Sequence, residues 1–382
     1  MINEINNWIA EHQDEILATY KELHDNPEIS WKEKMTTAYL CEKLTELDIS
    51  YETFDDITGV IGHWGNKSDG PTIGIRADMD ALWQNVNGDW KANHSCGHDA
   101  HMTMVLYTIR CLKELNFQPQ GLLKIIFQPA EETGRGAKAL IEKGVIEGID
   151  QLLGIHVRPI QELSAHEASP GIYHGATTLL SGKIHGEQAH GARPHLGINV
   201  VDSLSAVVQA VNSIKMDPTV PYSAKVTVIK AGGQNVNVIP DYGEFGIDLR
   251  AQTNEAMEQL LEKTITAVKN AATVNGARAE VEIPAAMVAA SPNLEMEEIV
   301  GQSIYEVLGD SRLKTPPVTP GGEDFHFYSH SYPNLKSTVV GLGTGLQPGL
   351  HHPNMTFDLT SMFDGIKILS LSIDKLFKQK HQ

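Results

Sequence analysis

The sequence predicts an α/β protein: a discontinuous domain with a mostly parallel central sheet flanked by helices, interrupted by an inserted ferredoxin-like βαββαβ domain. Three observations predict it. Short apolar runs alternate with segments of helical periodicity, the pattern of buried parallel strands joined by helices. Between residues 176 and 288 the rhythm changes to strand–helix–strand–strand–helix–strand. Acidic residues and histidines recur at or just past the apolar runs, the edge where open α/β sheets build their sites. The domains therefore divide as 1–175 with 289–382, and 176–288.

Taken in order, residues 3–23 place Ile5, Trp8, Ile9, Ile16, Tyr20 and Leu23 near helical spacing, and 34–47 read as a second helix. TIGIRA (72–77) is a short buried strand, with Asp78 and Asp80 at its end. Residues 100–115 form a helix with Val105, Ile109 and Leu112 on one face. LLKIIFQ (122–128) is a strand running into PAEETGRG and a further helix. QLLGIHV (151–157) is a third strand ending at His156, and KSTVVGLG (336–343) a fourth. The inserted segment carries strands at 176–185, 224–231, 243–250 and 277–284, with helices at 198–214 and 254–274.

Composition narrows the function classes. Thirty basic against 48 acidic residues give a net charge of −18, which argues against nucleic acid or an anionic membrane as partner. No apolar run approaches the roughly 20 residues of a membrane span. The N-terminus, MINEINNWIAEHQDEIL, has early acids and no basic start, unlike a secretory signal. Three cysteines are no disulfide framework, so a reducing, cytoplasmic setting is expected. Of the 17 histidines several cluster, at 94/98/101, 185/190/195 and 351/352, which points to metal or acid–base work.

NHSCGHDAHMTM (93–104) is the densest of these stretches. Cys96 and His98 flank a glycine in a turn before a helix, so both side chains can face one point. Cys96 is open to several readings: nucleophile, redox thiol, metal ligand or ordinary helix-start residue. No Cys-x-x-Cys pair supports redox chemistry, and nothing nearby resembles a cysteine-hydrolase pattern. Glu131 and Glu132 leave an apolar strand side by side. Such a pair is costly at a buried strand end unless a cation compensates it. His156, His351 and His352 each have an ordinary structural reading, as does a lone carboxylate at Asp78 or Asp80. Asp80 also suits the role of accepting a ring N–H to orient a ligand histidine.

These motifs, in this order, resemble the co-catalytic metallo-amidohydrolases that include hippurate hydrolase, N-acyl-L-amino-acid amidohydrolases and auxin-conjugate hydrolases. Aminoacylase and glutamate carboxypeptidases are more distant relatives. The resemblance runs from LHDNPEISWKE (23–33) through RADMDAL, CGHDAHMTM, FQPAEE, GIHV, GEQAHGARPHLGIN, NVIPD and GGEDF to LHHP. It implies two divalent ions, Zn2+ or Mn2+ with Co2+ or Ni2+ compatible, held by Cys96, His98, Glu132, His156 and His351, with the sulfur bridging. It implies Glu131 as general base and Asp80 as the acid supporting a ligand. Asp78 takes the place of a ligand histidine of the distant relatives. His190 matches a histidine that reaches a partner subunit's site in a homodimer, which makes the inserted segment a lid and dimerisation domain. Asn237 and Arg250 match groups that hold substrate. The implied reaction is hydrolysis of an N-acyl amino acid to a carboxylate and a free amino acid. The alternatives are a dipeptidase or carboxypeptidase, or an N-acetyl-diaminopimelate-type deacetylase. Two departures stand out: Trp83 where the family usually has proline, followed by a short loop to Cys96, and His352 where serine is commoner.

Overall fold

Seven strands make the larger sheet, in the spatial order Ser50–Thr53, Val60–Gly65, Leu122–Gln128, Thr72–Asp78, Gln151–Pro159, Lys336–Leu346, Ala168–Ser169. The central four are mutually parallel, and each strand outside them pairs antiparallel with its inner neighbour. This is a computed structural model describing residues 1–379; the end of the expected 289–382 segment, residues 380–382, lies outside the described residues.

The central strands are continuous apolar runs because helices cover them. Thr72–Asp78 is buried along its whole length, and Gln151–Pro159 along all but its last residue. The helix Ile2–Asp25 buries Ile5, Trp8, Ile9, Ile16, Tyr20 and Leu23, the face its spacing predicts. The helix predicted at 100–115 differs. It starts at His98 and is buried on nearly every side, not along one stripe. It packs against Ile2–Asp25, Ser361–Lys378 and the strand Thr72–Asp78, so Met102, Met104 and Leu106 are buried as well. Gly365 permits the close helix approach: a Cβ there would meet Met104 Sδ at 2.3 Å.

A second sheet has four strands, ordered Tyr222–Ala231, Tyr242–Ala251, Ala176–His185, Arg278–Met287, with every neighbour antiparallel. Helices Val200–Asn212 and Asn254–Val274 pack on it, burying Leu204, Val207, Leu260 and Val268 against Leu180, Phe245, Ile247 and Leu249. Asn199 and Thr253 start these helices by accepting backbone N–H groups on their side-chain oxygens.

The chain forms two compact units. One comprises Met1–Ile172, Ser291–Pro317 and the chain from Phe327 on; the other comprises Tyr173–Ala290 and Val318–His326. The divisions fall at 172/173 and 290/291 rather than 175/176 and 288/289. The stretch Val318–His326, expected in the first domain, clusters with the second because Val318–Thr319 pairs in parallel with Tyr173–His174. Among the described residues, no helix is long and apolar enough to cross a membrane.

Candidate metal centre

At the C-terminal edge of the parallel strands, two donor triads share one sulfur. Cys96, His98 and His156 form one, and Cys96, Glu132 and His351 the other, each with its ligand atoms within 4.8 Å of one another. Cys96 Sγ lies 3.6 Å from His156 Nε2. Glu132 Oε1 lies 3.8 Å from His98 Nε2 and 3.4 Å from His351 Nε2. Two ligands about 2.1 Å from one tetrahedral ion sit roughly 3.4 Å apart, so these separations fit cations between the donors. His98 Nε2 and Glu132 Oε1 are buried with no hydrogen-bond partner. Such atoms are unfavourable unless something polar meets them, and a cation would.

Gly97 makes the sharing of Cys96 and His98 sterically feasible. Its φ of +87° turns the chain between the two donor residues, and a Cβ there would sit 2.5 Å from Val157 Cγ2. His98 opens the helix behind it. Its Nδ1 donates to the Asp80 carbonyl at 2.8 Å and lies 3.2 Å from Asp80 Oδ1, which leaves Nε2 for the centre. Asp80 also accepts the backbone N–H groups of Glu131 and Glu132, both at 3.1 Å, and the Ser30 hydroxyl at 2.6 Å. One carboxylate thus joins the His98 ring to the turn that carries both glutamates. Buried Glu131 forms a third group with His98 and Glu132. Glu33 fixes the start of that turn, accepting the N–H of Ala130, whose backbone is left-handed.

His156 is predicted at a strand end, but the strand runs on to Pro159. Pairing with Thr72–Asp78 stops at Gly154, and beyond it the Val157 N–H needs another acceptor. His101 supplies it: the Val157 N–H donates to His101 Nε2 at 2.9 Å, so His101 Nδ1 carries the proton and donates to Asp78 Oδ1 at 2.7 Å. The Val157 carbonyl accepts from His156 Nδ1 at 2.7 Å, turning His156 Nε2 towards Cys96. Asp78 Oδ2 accepts from Arg76 at 2.7 Å, so both Asp78 oxygens are engaged by protein donors.

Of the paired C-terminal histidines, His351 faces Glu132, whereas His352 Nδ1 accepts the Asn354 N–H at 3.1 Å within its own loop. Asp99 accepts from His24 at 2.6 Å and from the Ala100 N–H at 2.8 Å, supporting the helix start. His94 is buried with neither ring nitrogen hydrogen-bonded.

The electrostatics suit cation uptake. Burial, with the Glu132 charge adding, pushes the Cys96 thiol up. Burial, helped by His101 and Arg158, holds His156 well below the usual histidine range, so it is a neutral imidazole. The neighbouring Cys96 and Glu132 side chains raise His351 to about 10. Burial opposes charge on His98, but Asp78 and Cys96 outweigh it and raise that ring well above its ordinary value.

The remaining predicted residues belong to the second unit. His190 lies on Ala189–His190, paired with Val238–Ile239, and is exposed. The Asn237 carbonyl accepts the Gly191 N–H at 2.8 Å, placing Asn237 beside the His190 strand. Arg250 is already engaged: its Nε and Nη2 reach the two Asp248 oxygens at 2.8 and 3.2 Å, and Nη1 reaches Thr177 Oγ1 at 2.9 Å. Sequence reasoning missed Glu33, Arg76 and the His101–Val157 link. Their partners are distant in the chain, so no local spacing announces them.

Peptidase family M20/M25/M40 matches residues 74–375. The chain is 30% identical over 354 residues to IAA-amino acid hydrolase ILR1-like 5 of Arabidopsis thaliana, covering 89% of this chain and 80% of that one. It is 29% identical over 381 residues to N-acetyl-L-cysteine deacetylase of Bacillus subtilis, covering 97% and 90%. In fold it is similar to the Bacillus subtilis YXEP protein, a dinuclear metal binding peptidase, with a TM-score of 0.83, 24% identity, and coverage of 97% and 100%. With a match spanning most of its length, the chain belongs to Peptidase family M20/M25/M40 and is a metal-dependent hydrolase of amide bonds.

Proposed function

We propose that the protein hydrolyses the amide of N-acyl amino acids at a dinuclear centre held by Cys96, His98, Glu132, His156 and His351. The observation that carries this reading is the pair of donor triads sharing Cys96, with Glu131 beside His98 and Glu132. The mixed S, N and O donors suit Zn2+ or Mn2+. Bound there, the ions supply Lewis acidity and acidify a water towards neutrality.

The protein's own groups do the rest. Glu131 takes a proton from the attacking water and delivers it to the leaving amine. Its backbone N–H is held by Asp80, which fixes the turn from which its side chain projects. His190 meets the oxyanion in a partner subunit of a homodimer. Asn237 binds the substrate carbonyl, and Arg250 its α-carboxylate. Because Asp248 holds the Arg250 fork, substrate shares that guanidinium with Asp248 or displaces it. The second unit, ferredoxin-like in its element order, serves as lid and dimerisation domain. A thiolate donor at such a centre suits a reducing cytoplasm.

Glu131→Gln should retain its ions and lose about 10²-fold or more in rate. His190→Ala should be equally crippled, and a mixed preparation of the two variants should regain part of the activity in heterodimers. Full turnover by Glu131→Gln removes it from the mechanism, and no regain on mixing removes His190 from a shared site.

A further inference from the structure

Residues Leu82–Val86 and Asp89–Asn93 form a hairpin in the short segment between Asp80 and Cys96. Trp83 pairs with Ala92, and Asn85 with Trp90, so both tryptophans lie on one face, 57% and 62% exposed. Gln84 points to the other face, towards the loop that carries His351. Its Nε2 donates to the His351 carbonyl at 2.8 Å. Its Oε1 accepts from the Ser95 hydroxyl at 2.8 Å and from Asn93 Nδ2 at 3.1 Å. The His351 N–H in turn donates to the Ser95 carbonyl at 2.7 Å.

His351 has a left-handed backbone, with φ 63°. A non-glycine residue is unfavourable there and persists only where its surroundings hold it. Here both its peptide groups are held, the N–H by Ser95 and the carbonyl by Gln84. Ser95 immediately precedes Cys96, so the same bonds tie together two of the three donors of the Cys96–Glu132–His351 triad.

We propose that Gln84 is a positioning residue for the metal centre: it clamps the strained His351 backbone so that the imidazole faces Glu132 and Cys96. This rests on the dinuclear reading above. The hairpin is then a strut with two faces, one bracing a ligand and one turned to solvent. Losing the Gln84 donor lets the His351 backbone relax out of the left-handed region and carries the ring away from its triad.

Calorimetric titration of the metal-free protein with Co2+ tests the clamp. Wild type should bind two ions. Gln84→Met, close in shape but without donor or acceptor, should weaken one of them by about 10-fold or more and spare the other. The weakened ion should be the one that His351→Ala loses. Ser95→Ala, which removes the hydroxyl orienting Gln84, should weaken the same ion by a smaller factor. Trp83→Ala with Trp90→Ala, on the opposite face, should leave both affinities unchanged. Melting of each metal-free variant near the wild-type temperature shows that the fold is intact. Wild-type uptake by both Gln84→Met and Ser95→Ala overturns the clamp alone, as does an equal loss in the tryptophan variant. A wild-type protein that takes up no Co2+ overturns the metal centre and the clamp with it.

Discussion

Cys96 belongs to both donor triads of the proposed centre. Its thiol is pushed up by burial and by Glu132, and His351 is raised to about 10. The ion-free centre therefore keeps protons at neutral pH that a cation must displace. Raising the pH removes that competitor, so apparent Zn2+ affinity should climb with pH and uptake should release protons. Calorimetry in buffers of different ionisation enthalpy measures the release directly; a pH-independent affinity without proton release would contradict the arrangement. The spacing of Cys96 and His98 left several chemistries open in the sequence. What distinguishes them is the convergence of Glu132, His156 and His351 on the same sulfur, and that exists only in three dimensions. His101 illustrates the limit well. It satisfies the Val157 N–H that strand pairing leaves free, a partner 56 residues away that no local spacing announces.

At the scale of elements, the parallel strands were the most legible, because burial on both sides makes them uninterrupted apolar runs. The 122–128 and 176–185 strands and the 254–274 helix stand where their patterns put them. The antiparallel strands Ser50–Thr53 and Val60–Gly65 and the 82–93 hairpin were not. Ser50–Thr53 is exposed throughout, and the hairpin half-exposed, so neither has an apolar run to betray it. The turn at Gly97 is where local conformation bears most directly on the centre. Gly97→Ala would place a Cβ against Val157 in a left-handed backbone, an unfavourable change of roughly 2–4 kcal/mol. The variant should melt lower than wild type and bind its ions more weakly, since relief of the clash separates Cys96 from His98. Unchanged melting and metal content would show that the turn tolerates a side chain.

For the whole molecule, the change of rhythm between residues 176 and 288 made two units legible, though not the return of Val318–His326 to the second. That stretch pairs through only two residues at Val318–Thr319, too short to leave a pattern. The acyl group and amino acid are set by side chains whose role is chemical rather than architectural, so neither periodicity nor fold specifies them. In the proposed function, catalysis depends on divalent ions at the Cys96 centre and acts on N-acyl amino acids. Metal analysis of the purified protein, with turnover of a panel of N-acyl amino acids, dipeptides and N-acetyl-diaminopimelate before and after chelation, tests it most directly. The expected result is close to two divalent ions per chain, turnover centred on N-acyl amino acids, loss of activity on chelation and its return when metal is restored. Turnover indifferent to chelation would contradict it.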